Sequence, residues 1–148
     1  MDASFAGRVY PPTRPYLVGR EKIREFGAAV GELSPLSHDV RAARAAGYAD
    51  LVAPPTFAIV VTMPASDVIT QDPALGMDFS RVVHGDQRFI YVRPIVAGDE
   101  LTVVMTVESV RAVAGNDLLG LRAEVLDAAG KTVLAALSSL VARGTAGA

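Results

Sequence analysis

Val52-Ala53-Pro54-Pro55-Thr56-Phe57-Ala58-Ile59-Val60-Val61-Thr62-Met63-Pro64-Ala65-Ser66-Asp67-Val68-Ile69 is the stretch on which the fold turns. From Phe57 to Ile69 it is apolar and long enough to predict a helix buried nearly all round. Pro54 and Pro55 suit a helix start, where a missing N–H costs little, whereas Pro64 predicts a kink in the interior. Such a helix needs other elements around it.

They are supplied downstream. From Phe79 onward the apolar period becomes that of strands, with four expected at about Ser80–Arg93, Leu101–Ala112, Asp117–Asp127 and Thr132–Arg143. Gly98-Asp99, Gly115-Asn116 and Ala129-Gly130 are turn signals between them, and connections this short predict antiparallel hairpins between consecutive strands.

Upstream, Ile23, Phe26 and Val30 recur at helical spacing from Arg20 to about Val30, with Arg20, Glu21, Lys22, Arg24 and Glu25 on the wet side and Gly31 as the stop. A short alanine-rich helix is expected from about Asp39 to Ala46, capped near Ser37 or His38 and ended by Gly47. Tyr10-Pro11-Pro12 and Tyr16-Leu17-Val18 read as short extended pieces. The pattern is one α+β domain over residues 1–148, helices packed on an antiparallel sheet, with only the Gly/Ala tail after Arg143, residues 144–148, expected to fray.

At 148 residues, one substantial core is the default. A formal charge of -2, with scattered Lys and Arg, gives no footprint for nucleic acid or anionic membranes. The absence of cysteine excludes a disulfide scaffold, a thiolate nucleophile and a thiolate metal site. Met1 to Val9 lacks a signal-peptide run and no stretch approaches a membrane span, so a cytoplasmic location is expected. With 51% hydrophobic residues the chain is somewhat apolar for a monomer, which points to a buried subunit interface.

Gly31-Glu32-Leu33-Ser34-Pro35-Leu36-Ser37, the Val52 to Phe57 segment, and His84-Gly85-Asp86-Gln87-Arg88-Phe89 running into Arg93-Pro94-Ile95-Val96-Ala97-Gly98-Asp99 stand in an order and spacing that carry a resemblance. Together they resemble the MaoC-like hot-dog family of (R)-specific enoyl-thioester hydratases and (3R)-hydroxyacyl-acyl-carrier-protein (ACP) dehydratases, from about Gly7 to Arg143. Within it the chain is similar to the FAS1-like, or MaoC amino-terminal, branch, which includes partner subunits of heterodimeric dehydratases and non-catalytic halves of two-domain hydratases. The resemblance implies a hot-dog fold, in which an antiparallel sheet wraps a central helix. It also implies an acyl-CoA or acyl-ACP thioester ligand, and a homodimer or a heterodimer with a MaoC-like subunit.

Dehydration of a 3-hydroxyacyl thioester needs a positioned acid and base and donors for the developing oxyanion. The resemblance implies that active members supply an Asp, a His five residues later, and backbone N–H groups at the helix start. Each is altered here. Glu32 stands at the Asp position with a carboxylate roughly 1.5 Å further from the backbone; it is either a displaced acid/base group or a solvated loop carboxylate. Ser37 replaces the His, and His38 is one residue late, a rotation of about 100° if the segment is helical; it is a catalytic candidate or a capping histidine.

Pro54-Pro55 replaces the family's His-Gly, so Pro55 offers no donor, and Thr56 and Phe57 are left as the candidate donors for a carbonyl oxygen. His84 and Asp86 are two apart on a strand, sharing a face unless Gly85 disturbs it, and form either a tuned imidazole or a structural polar cluster, with Gln87 beside them as a substrate contact. Ile59, Val60, Val61, Met63, Val68 and Ile69 line an acyl channel or belong to ordinary core. No dinucleotide fingerprint, phosphate loop or metal-ligand cluster is present in the sequence, so no cofactor is expected beyond the thioester's pantetheine arm. Three readings stay open: an accessory acyl-binding dehydratase subunit, an active homodimer using Glu32 with His38 or His84, and a non-enzymatic acyl-thioester binding protein.

Overall fold

The strand period read above builds a five-stranded sheet in the computed structural model, which describes residues 1–146. In chain order the elements are β1 (Tyr16–Leu17), α1 (Arg20–Val30), α2 (Val40–Ala45), α3 (Ile59–Thr70), β2 (Val82–Tyr91), β3 (Glu100–Val113), β4 (Asn116–Leu126) and β5 (Thr132–Ala142). Single 3-10 turns occur at Ala3–Phe5, Pro35–Ser37, Pro73–Leu75 and Phe79–Arg81.

The sheet order is β1-β3-β4-β5-β2 and every neighbouring pair is antiparallel. Strict alternation explains which face is covered: Leu101, Val103, Met105 and Val107 of β3 are buried together with Leu119, Leu121, Ala123 and Val125 of β4. Val61, Ala65 and Ile69 of α3 join the same core. This curled antiparallel sheet around α3 is the hot-dog arrangement.

The hairpin expectation holds for β3–β4 and β4–β5 but not for β2–β3. Strand β2 lies at the far edge, paired with β5 from Tyr91↔Leu134 to Val82↔Ala142. The reason is in the connection. Arg93 Nη1 and Nη2 grip the Asp99 carboxylate at 2.8 and 3.0 Å, and Val96 N donates to the same carboxylate at 2.9 Å. The clasped segment leaves the sheet, and its Ile95 carbonyl accepts from Ala53 N at 2.9 Å, beneath the approach to α3. The flank of β3 is then taken by β1, through Tyr16↔Leu101.

Helix α3 starts at Ile59, after a turn through residues 55–58, two residues later than the apolar run suggests. It is not buried all round: Met63 is 51% and Val68 65% exposed, because the sheet wraps one side of the helix and leaves the other open. Pro64 sits on that open side, within an otherwise continuous helix. In α1, Phe26 meets Phe57 edge to face with centroids 5.4 Å apart, while Val30 faces solvent. Helix α2 is capped by Asp39, whose carboxylate accepts from Arg41 N at 2.8 Å, rather than by Ser37 or His38. Beyond β5, Gly144 N donates to Asn116 Oδ1 at 3.0 Å and Thr145 Oγ1 to Asp117 Oδ2 at 2.7 Å. The rest of the expected frayed tail, residues 147–148, lies outside the described residues. Among the described residues, no helix is long and apolar enough to cross a membrane.

Two candidate sites

Glu32 is placed by the end of α1. Gly31 adopts φ 72°, donating to Ala28 O at 3.3 Å, while Glu32 N reaches back to Gly27 O at 2.8 Å, the paired bonds of a Schellman cap. The Glu32 carbonyl accepts from His38 Nε2 at 2.8 Å, and its carboxylate accepts from Ser34 N at 2.7 Å. The His38 ring also packs on Gly27, where an added Cβ would lie 3.3 Å from Cε1. His38 therefore secures the loop through the Glu32 backbone and is not directed at the Glu32 carboxylate. Ser37, at the position where the resemblance implies a catalytic His, is 3% exposed and donates its hydroxyl to Val52 O at 2.7 Å.

Glu32, Ser37, Pro54, Pro55, Tyr91 and Arg93 line one cavity of about 410 Å³, within the range of small-molecule sites. The donors expected at its helix start are partly spent. Phe57 N donates to Pro54 O at 2.9 Å and the Phe57 ring is wholly buried, which removes Phe57 from the substrate contacts expected of it. Thr56 is exposed on the same turn, and its N–H has no backbone partner among the described residues.

Tyr91, which the sequence reading overlooked, donates its hydroxyl to Pro55 O at 2.7 Å. Burial pushes its phenol up to about 12, against the opposing effect of the Ala58 N–H, so the hydroxyl stays protonated near neutrality. The signal was available in the alternation of β2, where Gln87, Phe89 and Tyr91 all turn inward. Arg93 keeps its guanidinium charged, held chiefly by the hydrogen bonds to Asp99, with Asp127 3.6 Å away.

A second cavity, of about 260 Å³, lies between α3 and the inner face of the sheet. His84 and Gln87 line it; Asp86 does not. The cause is a bulge at Gly85, across which His84 pairs with Leu140 while Asp86 pairs with Ser139. One extra residue puts His84 and Asp86 on opposite faces, correcting the expectation of a shared face. Gly85 fits closely there, since an added Cβ would stand 2.9 Å from Ser139 Oγ and 3.3 Å from Ser139 O.

The sequence candidates thus separate into two places that share no lining residue: Glu32 with Pro55, and His84 with Gln87. Within this chain Glu32 and His84 line different cavities, and among the described residues no group of His, Asp and Glu is arranged to hold a metal ion. Of the proposed channel residues, Ile59 and Met63 border the second cavity, whereas Ile69 is buried core.

Comparisons with known proteins agree with this fold. The model of the FAS1-like dehydratase domain region matches residues 4–136. A relative from Streptomyces avermitilis named UPF0336 protein is 57% identical over 143 residues, covering 97% of this chain and 95% of the relative. Among solved structures, a protein titled MaoC-like dehydratase superimposes with TM-score 0.88 at 36% identity over 95% of this chain, which spans 42% of that longer chain. The C-terminally truncated HadBC (3R-hydroxyacyl-ACP dehydratase) complex from Mycobacterium tuberculosis gives TM-score 0.77 at 33% identity, covering 93% of this chain and 96% of the matched one.

Proposed function

The chain belongs to the FAS1-like dehydratase-domain family, and on that premise we propose that it is the acyl-binding, non-catalytic subunit of a (3R)-hydroxyacyl-thioester dehydratase. One observation carries the reading: the position implied for the catalytic imidazole holds a buried serine, whose hydroxyl is committed to Val52 O at 2.7 Å. Proton transfer at the substrate's α-carbon and hydroxyl then needs groups from elsewhere, and a MaoC-like partner subunit supplies them.

In this reading residues 1–148 act as one domain in the cytoplasm, and the cavity under α3 receives the acyl chain of a CoA or ACP thioester. Binding energy from that remote chain helps orient the thioester in the partner's site. No cofactor is needed beyond the pantetheine arm. The assembly with a complementary subunit is supported by the likeness to one chain of the HadBC complex and by the open apolar side of α3.

The test is hydration of trans-2-enoyl-CoA by the purified chain alone and mixed with a MaoC-like protein that carries the Asp/His pair. Negligible activity alone and a rise on mixing are expected. Full activity of the isolated chain overturns the accessory role, and thioester binding without turnover in any combination favours a scaffold.

A further inference from the structure

The alternation that buries one face of the sheet sets the other, turned away from α3: Leu118, Gly120, Arg122 and Glu124 lie between the buried residues of β4. A solvated antiparallel sheet normally reads polar on this side. Strand β5 is instead largely apolar on both sides, with Leu137 and Val141 turned outward, Leu118 of β4 and Val83 of β2 beside Val141 in one row, and none of these four buried. A continuous apolar face of this size marks an interaction surface.

Two neighbouring rows across the face differ in size. One runs Asp86, Ser139, Gly120, Ser109 through β2, β5, β4 and β3; the next runs Arg88, Leu137, Arg122, Thr106. The first row is a trough with no room to fill: an added Cβ would stand 2.7 Å from Ser109 Oγ at Gly120, and 2.9 Å from Ser139 Oγ at Gly85, the bulge residue beside Asp86. The second row is a ridge. Asp86 belongs to this face because Gln87, its neighbour, turns into the cavity on the inner side. Asp86 and Arg88 are both exposed, and neither forms a salt bridge among the described residues.

We propose that a second copy of this chain packs on the face, sheet against sheet, about a two-fold axis lying across the strands between the two rows. Such an axis lays the ridge of each copy in the trough of the other. It sets Leu137 of one copy over Ser139 of the other, Arg122 over Gly120, and Asp86 against Arg88, and every contact occurs twice. Four strands about 4.8 Å apart and roughly 35 Å long present about 650 Å². Two copies then bury about 1,300 Å², within the range of specific interfaces, with sheets packed about 10 Å apart. The face carries Asp86 and Glu124 as well as Arg88 and Arg122, so a partner of one charge sign is mismatched, whereas a copy presents both signs in reversed order. Asp86, Arg88 and Leu137 line neither cavity, so this association is independent of what the cavities bind.

The experiment is sedimentation equilibrium of the purified chain beside Asp86→Arg, Arg88→Asp and the variant carrying both substitutions, with thermal melts to check folding. The unaltered chain should associate reversibly. Each single substitution brings like charges together at two points and should raise the dissociation constant of that step at least about tenfold. The double variant exchanges the two charges and should return to within about threefold of the unaltered chain. Leu137→Asp, at the centre of the face, should weaken association at least about tenfold without depending on Asp86 or Arg88. A chain that stays monomeric at every concentration overturns the second copy as the occupant. Association that the single substitutions and Leu137→Asp leave unchanged places the contact elsewhere and also overturns it, as does a charge exchange that fails to restore what the single substitutions lose.

Discussion

The Tyr91 hydroxyl donates to the Pro55 carbonyl across 2.7 Å, joining the last residue of β2 to the turn that leads into the central helix. This contact makes the phenol part of the wall where self-sufficient relatives are expected to offer backbone donors. Tyr91→Phe keeps the ring and removes the bond, so a loss of about 1 kcal/mol is expected in denaturant unfolding, with an unchanged m-value. A loss near zero would show that the carbonyl is equally well satisfied by water.

Space around Gly85 is tight at the bulge. Gly85→Ala places a methyl 2.9 Å from Ser139 Oγ and 3.3 Å from Ser139 O, and should destabilise by about 1–3 kcal/mol. Adding Ser139→Ala relieves the nearer clash and should recover part of that loss. Thermal melts of the two single variants and the double variant measure the coupling.

His38 is expected to act on stability and not on turnover. His38→Ala removes the 2.8 Å bond to Glu32 O and leaves a gap against Gly27, which should cost about 1–3 kcal/mol. Glu32→Gln retains an acceptor for Ser34 N and should leave the activity of the partnered enzyme within about threefold, because the amide oxygen can still close the turn. A loss of a hundredfold or more from Glu32→Gln, with the fold intact, would restore Glu32 to the chemistry.

Arg20 fixes Asp50 through a fork, Nε to Oδ1 at 2.8 Å and Nη2 to Oδ2 at 2.5 Å, which ties the start of α1 to the approach to α3. That hydrogen bonding, chiefly from Arg20, lowers the Asp50 carboxyl from 3.8 to about 2. A carboxyl depressed in the folded state contributes stability that is fully present above 3.8 and disappears as pH falls through about 2. Asp50→Asn should therefore lower stability at pH 7 and flatten the acid limb between these values. Solvent screening at this exposed pair limits the effect to below about 1 kcal/mol, measurable from denaturation midpoints across pH.

Much of the architecture was legible in the order of residues because it is local. Alternation over Glu100–Val113 and Asn116–Leu126 sets strands and their buried face, and the glycines at 31 and 115 punctuate the elements on either side. The apolar run before Ile69 marked the central helix, though only the sheet's curl decided that Met63 and Val68 would remain outside. The altered motif residues were also visible as letters: Glu32, Ser37, Pro54 and Pro55 differ from the acid/base pattern that the family resemblance implies.

What the letters could not reveal was company. Whether His84 and Asp86 share a face depends on a single inserted residue in the ladder, and spacing in sequence does not record where pairing slips. The pairing of β2 with β5, the Tyr91 contact and the meeting of Thr70 with Gln87 around one cavity each join residues distant along the chain. Periodicity reports the side of an element on which a residue lies. Which other element comes to face that side is settled only when the whole sheet closes around the helix.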